Sequence, residues 1–277
     1  MEISFQKNKF NFQSVGNYII LFLLFITSPI FSKGNELFEI TPNVGVKYFY
    51  WGEYNIYDVQ DLEEYGLVYS GNISVKTKFS NSFQLYTFTD VGFYYGIINY
   101  NGFLQSFNGE AESYKSETKY QGIEIVINLG YDIYLGEYFT LSPECGVGYE
   151  YWDRDLDDGG QYGYNELWDF FYLNFGSYFT MPLQHSSKIF LKILAKYPLL
   201  ISESVDMSSR GQGRPANINL EPGSNIGLNL ELGAIIYGAH LSIFLDYLLF
   251  SSSVFDQGYH QPRSDRSITG LKLGYTF

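Results

Sequence analysis

The chemistry this chain can run is bounded first by its three histidines, His185, His240 and His260, in a sequence of 277 residues. A histidine base must be oriented by a partner within hydrogen-bond reach. His260 lies in the polar stretch "FDQGYHQPRSD", where Asp256 stands four residues before it and Gly258 two before it. His185 falls in the short polar link "LQHSSK" and His240 directly follows the short link "GA". The single cysteine, Cys145, excludes an intramolecular disulfide and a Cys-rich metal framework. It sits on an apolar row of a period-two alternation, as a small apolar residue poorly placed for thiol chemistry.

A second candidate is "WDRDLDDGG", which brings Asp153, Asp155, Asp157 and Asp158 close together. Alternating carboxylates followed by glycine can wrap calcium. Here the glycine comes one residue late and Tyr164 stands where the bidentate glutamate would be, so this is a weak calcium candidate beside the plainer reading of a solvated acidic loop. No metal and no cofactor is expected. Arg210 and Arg214, in "SSRGQGRPAN", offer a basic spot for anionic lipid headgroups, glycans or a protein partner, or simply a flexible surface loop. With a net charge of −13 and a pI near 4.6, the chain has no basic footprint for nucleic acid.

The remaining charges sit inside regular apolar alternation, and that alternation must place them. In "FTLSPECGVGYEYW", Phe139, Leu141, Cys145, Val147, Tyr149 and Tyr151 share one face, and Ser142, Glu144, Gly146, Gly148 and Glu150 the other. Ten such stretches are predicted as strands, near residues 37–52, 66–79, 83–98, 119–135, 138–153, 167–183, 187–200, 224–237, 240–253 and 267–277. Each is longer than the usual soluble strand of about 5–6 residues. Each is also long enough for the roughly 9–11 tilted residues that cross a hydrocarbon core. The links alternate. "SNS", "GE", "LQHSSK" and "GA" are short, whereas "EYNIYDVQDLEEY", "NYNGFLQSFNGEAESYKS", "RDLDDGGQYGYNE", "SESVDMSSRGQGRPANINLEPG" and "FDQGYHQPRSD" are long and polar. Aromatics make up 19% of the chain while mean hydropathy is only −0.11, a combination that girdles of Tyr and Phe around a two-faced sheet would give.

Lipid offers no hydrogen-bond partner, so a sheet within it must close on itself. The expected fold is therefore all-β: a transmembrane antiparallel up-and-down barrel of about ten strands, eight or twelve being the neighbouring counts. With apolar rows facing lipid, Lys47, Lys76, Glu124, Glu144, Lys192, Lys196, Glu231, Asp246 and Lys272 are expected to face the lumen. They form either a sealed polar core or the lining of a narrow channel. Barrels of about eight strands are filled by side chains and those of 16–18 leave a pore, so ten strands favour the sealed core.

The chain at this point resembles the outer-membrane β-barrel proteins of diderm bacteria, on its loop alternation, its N-terminal segment and its ending "LKLGYTF". That segment has Lys7 and Lys9 before the apolar run "YIILFLLFI", and it reads as a signal peptide over 1–32, cleaved near Ser32, with the barrel domain over 33–277. The resemblance implies that Tyr275 and Phe277 form an insertion signal read by the barrel-assembly machinery. It also implies outer-membrane lipid as the surroundings, while the long acidic loops leave room for an extracellular ligand whose identity is open. The omptin surface proteases are similar in size. They place an Asp-x-His pair at the extracellular rim, and Gly258 stands where that aspartate would be. The function expected is a non-enzymatic surface, structural or adhesin-like role through acidic extracellular loops. The alternatives are a narrow channel for small solutes and an omptin-like protease.

Overall fold

The computed structural model describes residues 38–80, 84–105, 111–157, 163–184, 187–207 and 218–277. The expected signal peptide and its cleavage point, together with Asp158, His185, Arg210 and Arg214, lie outside the described residues.

The strands run β1 (Phe38–Tyr54), β2 (Gln60–Lys78), β3 (Leu85–Gln105), β4 (Ala111–Tyr131), β5 (Ile133–Leu135), β6 (Phe139–Asp157) and β7 (Tyr164–Pro182). They continue as β8 (Lys188–Asp206), β9 (Ile218–Leu220), β10 (Gly223–Ser224), β11 (Gly227–Ile236), β12 (Ala239–Ser251) and β13 (Arg263–Tyr275). Ten of them form an antiparallel wall, with β5, β9 and β10 as short additions. The wall closes where β1 pairs β13, from Asn43 opposite Gly274 to Tyr54 opposite Arg263. Beyond β13, Phe277 exchanges backbone hydrogen bonds with Ile40, tying the last residue to the first described strand. Closure leaves no edge, as a membrane sheet requires.

The outer surface carries an apolar belt. Val44, Val46 and Tyr48 on β1, Phe93, Tyr95 and Ile97 on β3, and Leu271, Leu273 and Tyr275 on β13 all face outward and are exposed. The strands stand taller than this belt. Nineteen residues at about 3.3 Å each, tilted about 40°, rise some 48 Å, against about 25 Å of outer-membrane apolar band. The surplus lies at the long-loop end.

There the strands outrun the sequence-based boundaries. Gln60–Tyr65, 99–105, 111–118, Arg154–Asp157, Ile201–Asp206 and Arg263–Arg266 are strand, where polar links were expected. The physical reason is a change of phase. Within the belt, β6 points Cys145, Val147 and Tyr149 outward and Glu144 and Glu150 inward; above it, Asp153 and Asp155 point outward while Trp152 and Leu156 point inward. Once water replaces lipid outside, polar residues belong on the outer face, so the same period-two strand reads as a polar loop.

At the short-turn end the links are tight. β11 and β12 are joined by Tyr237 and Gly238, at φ 51° and 86°, the doubly positive pair of a two-residue hairpin matched to strand twist. Inside, aromatic rings lie flat over glycines on the neighbouring strand. A Cβ on Gly148 would stand 2.1 Å from the Tyr172 ring, and one on Gly122 would stand 2.5 Å from the Tyr94 ring.

Candidate functional site

The lumen is built in layers from the short-turn end upward. The lowest is a cavity of about 160 Å³ among polar and charged side chains of nearly every wall strand. Its walls include Glu144, which accepts from Tyr86 at 2.7 Å and Asn128 at 3.0 Å, and Asp90, which accepts from Asn72 at 2.9 Å and from Ser74. Lys272 reaches Glu231 at 3.2 Å, two strands away, and Lys76 reaches Asp132 at 3.5 Å. The Lys192 ammonium lies 4.5 Å from the centre of the Phe88 ring. His240 is buried here, stacked on Phe190 with ring centres 5.3 Å apart, its Nδ1 2.7 Å from Asn43 Oδ1.

Above this cavity an ionic layer crosses the barrel. Arg266 binds both oxygens of Glu150 at 2.7 Å and reaches Asp246 at 3.4 Å. Lys196 pairs with Asp246 and with Glu124 at 3.4 Å, and the Tyr172 hydroxyl donates to Glu124 at 3.1 Å. Lys47 lies over the Tyr94 ring, 5.0 Å from its centre. The nine charges expected in the lumen are thus all on its wall. They fall into separate clusters: Glu231 with Lys272 within the cavity, and Asp246 with Lys196 and Arg266 at its upper boundary, where Lys196 also lines it.

Next comes an aromatic plug made from all three tryptophans of the chain. Trp168 stacks on Trp152 at 5.2 Å, meets Trp51 edge-on at 5.2 Å, and packs on Phe250 at 5.5 Å. Each of these four side chains is at most 1% exposed. Over the plug, Arg154 is held by Glu64 at 2.9 Å through its Nε and by Glu166 at 2.6 Å, with Glu53 at 3.8 Å. Tyr120 and Thr118 donate to Glu64, and Trp168 donates its indole N–H to Glu166 at 3.2 Å. Glu203 completes the group, with the Gln261 amide 3.2 Å from both its oxygens. Beside this group Val205, Ile218 and Leu220 form a small buried apolar cluster against Tyr164, Met207 and Tyr259.

The Arg154 group stands above the apolar belt, level with outward Asp153 and Asp265. There burial, with repulsion from Glu166 and Glu53, pushes Glu203 well above the usual carboxylate range. Burial likewise raises Glu53, against the opposing pull of Arg154. Burial beside other carboxylates thus favours the neutral form of Glu203 and Glu53.

Arg154, Arg266, Glu64, Glu166 and Glu203 were not singled out from the sequence. The parity rule holds the signal. Arg154 follows Trp152 by two residues and Arg266 precedes Ile268 by two, so each shares the inward face once the strand is extended.

The other sequence-derived candidates do not assemble. Asp153 and Asp155 lie on the extended strand β6 rather than in a wrapping loop, and Asp153 accepts from Gln121 at 2.8 Å and from Asn165. Among the described residues no group of three or more acidic, His or Cys side chains is placed to hold a metal ion. Asp256 accepts the Asn219 backbone N–H at 3.1 Å, while His260 packs on Phe255 with ring centres 4.4 Å apart. No hydrogen bond joins Asp256 to His260 among the described residues. Cys145 is exposed on the apolar belt. Tyr275 and Phe277 face outward with ring centres 4.9 Å apart.

No protein-family model matches the chain, and no curated protein matches it by sequence. Among solved structures, the outer membrane protease OmpT from Escherichia coli matches with a TM-score of 0.53, covering 89% of this chain and 99% of that one at 9% identity. The fold is that of a bacterial outer-membrane β-barrel. The translocator domain of the autotransporter NalP from Neisseria meningitidis gives 0.43, covering 96% of this chain and 97% of that one at 9% identity. A major outer membrane protein from Thermus thermophilus gives 0.41, covering 86% of this chain and 99% of that one at 12% identity. Identities this low speak of fold alone.

Proposed function

We propose that the chain is a closed, non-conducting barrel of the bacterial outer membrane that acts at the cell surface without catalysis, through its acidic extracellular rim. On the orientation of such barrels, short turns face the periplasm and long loops the exterior. The observation that carries this reading is the plug: Trp51, Trp152, Trp168 and Phe250 in mutual contact, with the buried Arg154 cluster over it. A solute would have to displace the rings and break the ion pairs together. The rim supports the surface role: Asp58, Asp61, Glu63, Glu117 and Asp155 crown the outer strand ends.

The lumen charges serve as a seal on this reading. The separation of Asp256 from His260 argues against the proteolytic alternative. Tyr275 and Phe277 serve as the insertion address for the barrel-assembly machinery. Liposome swelling tests the seal. Vesicles bearing the folded barrel and placed in small sugars should swell no faster than empty ones, and size-dependent swelling would overturn the proposal.

A further inference from the structure

We propose that the periplasmic cavity is a binding site for a small monocarboxylate carrying an amide or hydroxyl group, held by Lys192 and Asn174. This inference goes beyond the surface role and concerns the opposite end of the barrel. The plug makes the cavity blind at its upper end, so a ligand entering from the periplasm would stay rather than cross. At about 160 Å³ it has room for a molecule of several heavy atoms or for several waters.

Two features of its wall are unfinished. Five lysines line it. Four have a carboxylate within ion-pair distance: Lys188 with Glu39, Lys272 with Glu231, Lys76 with Asp132 and Lys196 with Asp246. Lys192 has none among the described residues, and its ammonium rests on the Phe88 ring. Glu231 is its cross-strand neighbour, yet its oxygens go to Lys272 and Ser242. The second feature is Asn174. It is 2% exposed, it lines the same cavity, and neither its Nδ2 nor its Oδ1 has a hydrogen-bond partner. A buried amide with both ends unmet awaits a donor and an acceptor together.

The remaining wall carboxylates set the charge of the ligand. Asp90 and Glu144 are satisfied by neutral donors, so they call for no cation, and their negative charge disfavours a doubly charged anion. The five lysines are balanced in number by Glu39, Asp90, Glu124, Glu144 and Glu231, so the wall tolerates at most one added negative charge. Lys192, the ammonium without an ion pair among the described residues, would receive it while Asn174 meets an amide-like or hydroxyl group. Water alone is the competing occupant.

The test is calorimetric titration of the detergent-solubilised barrel with N-acetylglycine, inorganic phosphate serving as the contrast. The expected result is saturable binding of N-acetylglycine with a Kd of about 1 mM, weakened about tenfold in each of Lys192→Met and Asn174→Leu by loss of one hydrogen-bonding group. Lys192 makes no ion pair, so its variant keeps the fold, and an unchanged melting temperature checks this. Absence of saturable heat would leave water as the occupant and overturn the proposal, as would binding unaffected by both substitutions or tighter binding of phosphate. The seal fails separately: a barrel that conducts yet binds contradicts the plug alone, and a silent barrel that does not bind contradicts this site alone.

Discussion

Arg266 and Glu203 show how a buried charge can be held in two ways. Arg266 is 1% exposed and pairs with Glu150 and Asp246; Asp246 keeps Lys196, so Glu150 is the carboxylate that depends on Arg266 for its ion pair. Replacing one member of a buried pair leaves the other charged and dry, at a cost of about 3–5 kcal/mol. Arg266→Met should therefore lower the unfolding free energy extracted from urea titration by that margin, whereas a surface change such as Lys119→Met should not. Glu203 is held instead by a proton. Its carboxyl is raised above the unfolded value of 4.5, so the folded barrel keeps a proton that the unfolded chain releases. Stability contributed by this group is then present below that value and declines as pH rises above it. Glu203→Gln should flatten the fall in stability between mildly acidic and neutral pH, and an unchanged pH profile would count against the protonated carboxyl. Neither residue was legible as a site. Lone charges in polar stretches look solvated, and only the parity of an extended strand turns them inward.

The wall strands owe their packing to glycines that admit aromatic rings. The Tyr172 ring occupies the space a Cβ on Gly148 would need. Gly148→Ala should cost about 1–3 kcal/mol by overpacking. The loss should be smaller in a background where Tyr172→Ala has emptied the space, read as coupling in a double-mutant cycle of urea midpoints. Ten strands and their short turns were legible because lipid imposes one rule on every outward residue of the belt. Above the belt the rule inverts, which is why 99–105 and 111–118 read as loop yet pair as strand. The inner clusters were legible as a face but not as partners. Pairing across the lumen joins residues far apart in sequence, such as Arg266 and Glu150, and strand parity alone does not say which will meet.

At the scale of the molecule, the terminal Tyr275–Thr276–Phe277 segment closes the circle against Ile40 and presents its two rings outward. If this ending is the address for assembly, deletion of Phe277 should reduce insertion into the outer membrane in cells while leaving refolding into detergent largely intact. Equal losses in both would assign the residue to stability alone. The layered lumen, a cavity, an ionic layer and an aromatic plug among the described residues, supports the proposed seal. Single-channel recording of the folded barrel in a planar bilayer is the decisive test of the seal. The native chain should give a flat current, with discrete openings appearing when Trp51, Trp168 and Phe250 are together replaced by alanine. Reproducible conductance steps from the native chain would contradict it.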